Sequence, residues 1–243
     1  MSERENLFRP IHKGIRLMLY QLGSELQTQS FVDVTQSNIV VARLKRNLGD
    51  SLSNCILCLL TAHAHHEEKD IFSHIRAHDA DAVDTVMKEH GVVARRILEF
   101  SKTCDELLKI TEPERRIEVG DRLIEEANDL VTLYLSHLNN EETLLVPVMW
   151  EWFTDQEIRA MRRVFYDSLP LSLFETWMRW TLPAMNQEEL NVLFSGLQTT
   201  AENPRAKDWV RLAHETLSFD RWLALRESVA VDLPWESQGP GRS

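Results

Sequence analysis

Apolar residues recur every three to four positions through most of the chain, which is the spacing of one face of an α-helix. The first such stripe predicts a helix near the N-terminus and contains Leu7, Ile11, Ile15, Met18, Leu19 and Leu22, with Phe8 and His12 at its edge. Further helices are predicted over about residues 37–76, with a candidate break at Gly49-Asp50, over about residues 79–106, and over about residues 117–149. In the last of these, Gly120 suggests a frayed start, and Pro147 is compatible with a helix only as a kink or a stop.

After residue 150 the periodic segments become shorter. Four amphipathic stretches are predicted at about residues 156–168, 171–185, 187–199 and 206–228. We expect them to form a helical extension over residues 151–230 that packs on the first four helices. Residues 231–243 lose the periodicity, so we expect a flexible tail there. The chain is therefore predicted to be all-α.

Composition supports a helical fold and argues against binding to nucleic acids or insertion into a membrane. The 243 residues include only 8 Gly and 8 Pro, which favours long helices over a turn-rich β fold. A net charge of −11 without a basic cluster argues against nucleic-acid binding. The longest apolar run, residues 55–60, is too short to span a membrane, and the N-terminus has no apolar leader. We expect a cytoplasmic protein, and three cysteines suit a reducing compartment.

Two of the predicted helices carry the same pair of potential metal ligands at the same spacing. His63 precedes Glu67 by four residues, and His137 precedes Glu141 by four residues. Positions four apart project from nearly the same side of a helix, so each pair offers an imidazole nitrogen and a carboxylate oxygen to one point. Mixed nitrogen and oxygen ligands repeated on two helices predict a site for two metal ions inside a bundle.

Two more histidines strengthen this prediction. His12 and His90 lie on or beside the apolar stripes of the other two long helices. A polar ring in a core costs about 1–3 kcal/mol unless it finds a partner. One core histidine in each of four consecutive helices therefore favours metal binding over four separate structural histidines.

The order of these motifs resembles the hemerythrin-like, HHE cation-binding family. That family has a His in helix one, His-x-x-x-Glu in helix two, Glu-His in helix three and His-x-x-x-Glu in helix four. This sequence supplies, in the same order, His12, His63/Glu67, Glu89-His90 and His137/Glu141. The runs Glu-Glu-Lys-Asp-Ile-Phe and Glu-Glu-Thr-Leu-Leu-Val-Pro that end the two paired motifs are also typical of the family. The resemblance covers about residues 7–150.

This resemblance implies a left-handed up-down-up-down four-helix bundle over residues 7–150 with a non-haem centre of two iron ions; Mn or Zn could substitute. It further implies that Glu67 and Glu141 bridge the ions. His12 and His90 would be terminal ligands, and His63 and His137 would complete the coordination on their respective sides. O₂, peroxide or nitric oxide could bind at an open position. Iron is favoured over zinc because an imidazole and carboxylate ligand set suits redox-active metals.

Two features leave alternatives open. Oxygen-carrying hemerythrins have a further His four residues before the third-helix histidine, and this sequence has Val86 there. The missing nitrogen leaves a position open or assigns it to Glu68, Glu89 or Glu142, and it favours sensing, storage or turnover over reversible O₂ carriage. His66 and Asp70 form another pair four residues apart that could compete with the pair formed by His63 and Glu67.

The segment over residues 153–222 resembles the extension that follows the hemerythrin domains of plant iron-sensing ubiquitin ligases. The similarity rests on Thr-Asp-Gln-Glu at 154–157, Leu-Phe-Glu-Thr-Trp-Met-Arg-Trp-Thr-Leu-Pro at 173–183 and Gln-Glu-Glu at 187–189. Those ligases also contain zinc modules built from clustered Cys and His. Since no cysteine follows Cys104, we expect the hemerythrin part without these modules.

The sequence thus favours a di-iron protein that binds O₂ or a related small oxidant for sensing or detoxification. Two other functions remain open. One is an enzyme that turns over peroxide or nitric oxide. The other is an iron-responsive interaction module that engages a protein partner through the extension. The motif Cys55-Ile-Leu-Cys58 is interpreted as part of the core, on the expectation that it lies inside an apolar helix rather than at a helix start.

Overall fold

A computed structural model describes residues 4–45, 55–198 and 205–229 of the chain. All regular secondary structure in these ranges is helical, which confirms the all-α prediction. The helices are α1 (Arg9–Gln27), α2 (Val34–Lys45), α3 (Ile56–Asp70), α4 (Phe72–Arg76), α5 (Ala80–Leu107), α6 (Pro113–Trp152), α7 (Asp155–Ser168), α8 (Leu171–Ala184), α9 (Gln187–Gln198), α10 (Ala206–Thr216) and α11 (Phe219–Val229).

The long helices α1, α3, α5 and α6 form a four-helix bundle. Helix α6 packs along both α5 and α1, and α3 packs against α5. The apolar stripes predicted from sequence face inward, so that the side chains they contain, such as Ile15, Leu19, Val83 and Ile97, are buried. Because the stripes also carry the predicted histidines, the same packing brings these imidazoles into the interior.

The predicted helix over residues 37–76 is divided into α2, α3 and α4. The suggested break at Gly49-Asp50 lies outside the described residues. A second interruption, which the sequence did not indicate, separates α3 from α4 at Ile71, whose backbone lies at φ −116° and ψ −50°. Only this one residue separates the two helices, and its side chain is buried in a hydrophobic cluster with Phe72 and Ile75 of α4.

The expectation that this motif lies inside a helix rather than at a helix start is wrong, because Cys55 is the N-cap of α3 and Cys58 lies in its first turn. Its sulfur accepts a hydrogen bond from the Cys58 backbone N–H and donates one to the Leu44 carbonyl at 2.9 Å. Burial raises the pKa of the Cys55 thiol to about 12. The thiol is thus held in its protonated form, although a helix N-terminus usually favours a thiolate.

The interpretation of Gly120 as a frayed start is also wrong. Helix α6 begins at Pro113, and Gly120 lies two turns inside it. A Cβ atom at this position would come within 2.2 Å of the Phe31 ring, so glycine permits the close approach of the segment between α1 and α2. Pro147 does not stop the helix, which continues to Trp152.

The extension packs directly on the bundle, chiefly through contacts between α8 and α1. Gly14 allows α8 to pack closely on α1, since a Cβ at this position would lie 3.0 Å from the Thr181 backbone. Trp177 and Phe174 of α8 belong to the same hydrophobic core as Ile15 of α1. The last predicted segment is two helices, α10 and α11, separated at Leu217. The predicted tail over residues 231–243 lies outside the described residues, and within the described ranges no helix is long and apolar enough to cross a membrane.

Candidate metal centre

Six side chains that the sequence predicts as metal ligands meet in the middle of the bundle. Helix α1 supplies one, α3 two, α5 one and α6 two, and none is more than 6% exposed: His12, His63, Glu67, His90, His137 and Glu141. Each pair of residues four apart projects its two groups to the same side, as the helical spacing requires. In both pairs the distance from the histidine Nε2 to the nearer glutamate oxygen is 3.3 Å.

Potential ligand atoms fall into two groups that share both carboxylates. One group contains His12 and His63 with Glu67 and Glu141, and its ligand atoms lie within 4.8 Å of one another. The other group combines His90 with His137 and the same two glutamates, at the same spacing. Ring centroids are 5.2 Å apart in the first histidine pair and 4.7 Å apart in the second. Such an arrangement can hold two cations bridged by two carboxylates.

Several of these inward-facing atoms lack a hydrogen-bond partner. These buried atoms are the Nε2 atoms of three histidines and one carboxylate oxygen of each glutamate: His12, His63, His137, Glu67 and Glu141. His12 Nε2 does lie 3.3 Å from Glu141 Oε2, although not in hydrogen-bond geometry. Buried polar atoms of native proteins nearly always have partners, and leaving one without costs about 1–3 kcal/mol. A cation bound in each ligand group would satisfy them, so this donor set fits metal ions.

The outer nitrogens of three of the histidines are occupied by a further carboxylate. His12 Nδ1 lies 2.8 Å from Glu142 Oε1, and His90 Nδ1 lies 2.8 Å from Glu68 Oε1. His137 Nδ1 lies 3.1 Å from an oxygen of Glu89. Each contact holds the ring so that Nε2 points into the centre, which is how outer carboxylates orient metal-binding histidines.

The sequence left open that Glu68, Glu89 or Glu142 takes the coordination position that lacks a histidine at Val86. The structure instead places all three outside the two ligand groups. Each is the sequence neighbour of a potential ligand on its own helix and contacts the histidine of another helix. Glu68 of α3 reaches α5, Glu89 of α5 reaches α6, and Glu142 of α6 reaches α1. The adjacency was visible in the sequence, but which helix each would reach depends on the packing.

His63 differs from the other three, because the described residues place no such carboxylate on its outer side. Its neighbours are aromatic: the Tyr134 ring at 6.4 Å and the Trp177 ring at 6.1 Å between centroids. Lys13, which follows His12 and would be the corresponding neighbour on α1, instead forms an ion pair with Glu189 of α9 at 2.6 Å.

Protonation within the centre reflects the balance between burial and the carboxylates. Burial lowers the pKa of His63 to about 4, so its imidazole is neutral. Burial also opposes charge on His90, but its hydrogen bond with Glu141 and the negative charge of the nearby Glu67 carboxylate outweigh it and raise its pKa to about 10. His12 behaves likewise, with a pKa well above the usual value. Without metal, these two imidazolium groups balance the buried carboxylates; a cation would take over that role.

One end of the centre is closed by apolar side chains. The Phe72 ring stacks on His90 at 5.4 Å, and the Phe8 ring lies 5.5 Å from His12. Val86 is completely buried in the same cluster. The position at which oxygen-carrying hemerythrins have a further histidine is thus filled by hydrocarbon.

The other histidines lie away from this centre. His66 and Asp70 form a partly exposed pair at 3.3 Å and do not join either ligand group, so the structure brings His63 and Glu67 to the centre instead. His214 packs against Trp222 with 5.3 Å between ring centroids.

Comparison with known proteins gives one match. The family model of the hemerythrin HHE cation-binding domain matches residues 5–149, which includes every residue of both ligand groups. Searches among curated proteins and among solved structures give no match. The matched segment covers more than half of the chain and contains α1, α3, α5 and all but the last three residues of α6. The chain therefore belongs to the hemerythrin HHE cation-binding domain family.

Proposed function

We propose that this protein holds two iron ions and binds O₂ or a related small oxidant, for sensing or detoxification in the cytoplasm. The observation that carries the proposal is that Glu67 and Glu141 each belong to both ligand groups. Two nearby cations repel each other strongly in a buried site, and shared carboxylates lower this cost. The six proposed ligands are His12, His63, Glu67, His90, His137 and Glu141.

Iron is supported by the chemistry of the donor set. Four imidazole nitrogens and two carboxylates, without a thiolate, suit iron or manganese at least as well as zinc. With two histidines for each ion, the site leaves coordination positions for an exogenous ligand, and a bound iron pair would supply electrons for oxidant chemistry. The surrounding protein contributes orientation through the outer carboxylates and exclusion of water through the apolar end near Val86 and Phe72.

Val86 supports sensing or turnover rather than reversible O₂ carriage. Its side chain cannot coordinate a metal, and it is fully buried beside His90. The second ligand group therefore has one nitrogen fewer than the oxygen carriers of the family. An enzyme that consumes peroxide or nitric oxide with the same ligands is the second candidate, favoured by the same open coordination.

Metal analysis of the purified protein tests the proposal. We expect close to two iron ions per chain after anaerobic reconstitution, with a near-ultraviolet charge-transfer band in the oxidised form. Protein that retains neither iron nor manganese would refute it. Stopped-flow mixing of the reduced protein with O₂, H₂O₂ and nitric oxide separates the two candidates, because a sensor binds its ligand once and an enzyme consumes it repeatedly.

A further inference from the structure

A small cavity adjoins the metal centre on the side of His63. Its volume is about 20 Å³, and His63 and Glu67 form part of its wall. This is room for one water molecule or a diatomic or triatomic ligand, and no room for an organic substrate. Three residues of α7, in the extension, also line the cavity: Arg162, Phe165 and Tyr166. The extension thus lines the space beside the proposed iron site.

Arg162 brings the cavity an unused hydrogen-bond donor. Its Nε atom is buried and has no partner, while the terminal nitrogen of the same side chain forms an ion pair with Glu5. The side chain as a whole is only 19% exposed. A buried guanidinium N–H left without an acceptor is unusual, since such groups are strong donors that carry charge. Because Arg162 lines the cavity, an acceptor bound there would supply the missing partner.

Contacts around Glu5 hold this arginine in place. The Glu5 carbonyl accepts a hydrogen bond from Trp150 Nε1 at 2.7 Å, and its backbone N–H donates to Asp155. Its carboxylate binds both Arg162 and Arg159. Arg159 is 56% exposed and does not line the cavity. Of the two arginines paired with Glu5, one faces the cavity and the other faces solvent.

We propose that Arg162 is a specificity-determining residue that makes the metal centre favour small anions over neutral ligands, by donating its Nε–H to a ligand in this cavity. The inference rests on the proposed function, because the ligand needs a metal ion beside His63 and Glu67. A positive guanidinium stabilises an anion by a charge-assisted hydrogen bond in a site with little water. A neutral diatomic ligand gains much less from the same group.

The test uses the full chain loaded with iron, with azide as the anionic probe and nitric oxide as the neutral one. Wild type, Arg162→Met and Arg159→Met are compared after their iron content and circular dichroism have been shown to match. Azide affinity is measured by spectral titration of the oxidised protein, and nitric oxide affinity by titration of the reduced protein. We expect Arg162→Met to weaken azide binding about tenfold or more and to change nitric oxide binding less than about twofold. Arg159→Met should change neither.

Unchanged azide affinity in Arg162→Met would overturn the inference, and so would an equal loss of both ligands, which would mean that Arg162 only shapes the cavity. If Arg162→Met folds poorly, Arg162→Lys replaces it: lysine keeps the charge beside Glu5 but has no N–H at the Nε position, so azide binding should still weaken. Failure of wild type itself to bind iron would instead overturn the proposed function, and the inference with it.

Discussion

Three glutamates lie just outside the ligand groups: Glu68, Glu89 and Glu142. Each is next to one potential ligand in the sequence and contacts a different one, a histidine of another helix, in space. Glu89 precedes His90 on α5, yet its carboxylate lies against His137 Nδ1 and accepts a hydrogen bond from Asn140. Because a carboxylate on Nδ1 keeps the proton there, Nε2 remains a lone-pair donor for a metal. The residues that set the geometry of the centre therefore include some that belong to neither ligand group.

Substitutions on this pair of residues should separate coordination from positioning. His137→Ala removes a proposed ligand and is expected to lose one ion or both. Glu89→Gln keeps the shape but weakens the hold on the ring, so we expect metal affinity to fall about 10- to 100-fold with ligand number unchanged. Metal content and competition with a chelator measure the two effects. His214→Ala, far from the centre, is the control and should behave as wild type. Full metal content in His137→Ala would contradict the assignment of this ligand.

The sequence predicts the six potential ligands because their chemistry follows helical spacing. It does not predict the asymmetry around them. Nothing in the residue order shows that His63 faces the aromatic rings of Tyr134 and Trp177, or that Arg162, about 100 residues later, lines the cavity beside the centre. Both depend on how α7 and α8 pack on the bundle, which is tertiary information.

At the scale of helices, apolar periodicity predicts the long elements well and fails where packing overrides local preference. Gly120 has the low helix propensity of a weak start, but Phe31 requires a glycine inside α6. The separation of α10 from α11 at Leu217 leaves both halves amphipathic, so the periodicity continues across it. The interruption at Ile71 falls on an apolar residue that is buried like the one after it, so the sequence gives no local signal for it.

Two glycines of α1 provide a matched test of the contact between the bundle and the extension. An alanine methyl at position 14 would lie 2.9–3.0 Å from Thr181, including its backbone, whereas nothing lies within 4 Å of a methyl at position 23. We expect Gly14→Ala to lower the free energy of unfolding by about 1–3 kcal/mol through overpacking. Gly23→Ala should raise it by up to about 1 kcal/mol, since alanine favours the helix. Urea denaturation measures both, and equal effects would mean that α8 does not pack this closely.

At the scale of the whole molecule, the extension helps to enclose the buried charges of the metal centre. The centre places two carboxylates in the interior, and three aromatic side chains of the extension, Trp177, Phe165 and Tyr166, lie on the side of His63. Metal binding to the folded state alone raises stability by about 4 kcal/mol at a free metal concentration 1,000 times the dissociation constant. Because the core is continuous from α1 to α8, part of that stabilisation should reach the extension.

Hydrogen exchange with and without iron tests this coupling and the third possible function, an iron-responsive interaction module. We expect iron to slow exchange in α7 and α8, which contact the centre, more than in α10 and α11, which pack farther along the extension. His137→Ala supplies the control once its metal content shows that it binds no iron, since iron added to it should then change little. Protection confined to α1, α3, α5 and α6 would show that the extension does not sense the metal. A protein partner whose binding depends on iron would then have to bind the four-helix bundle itself.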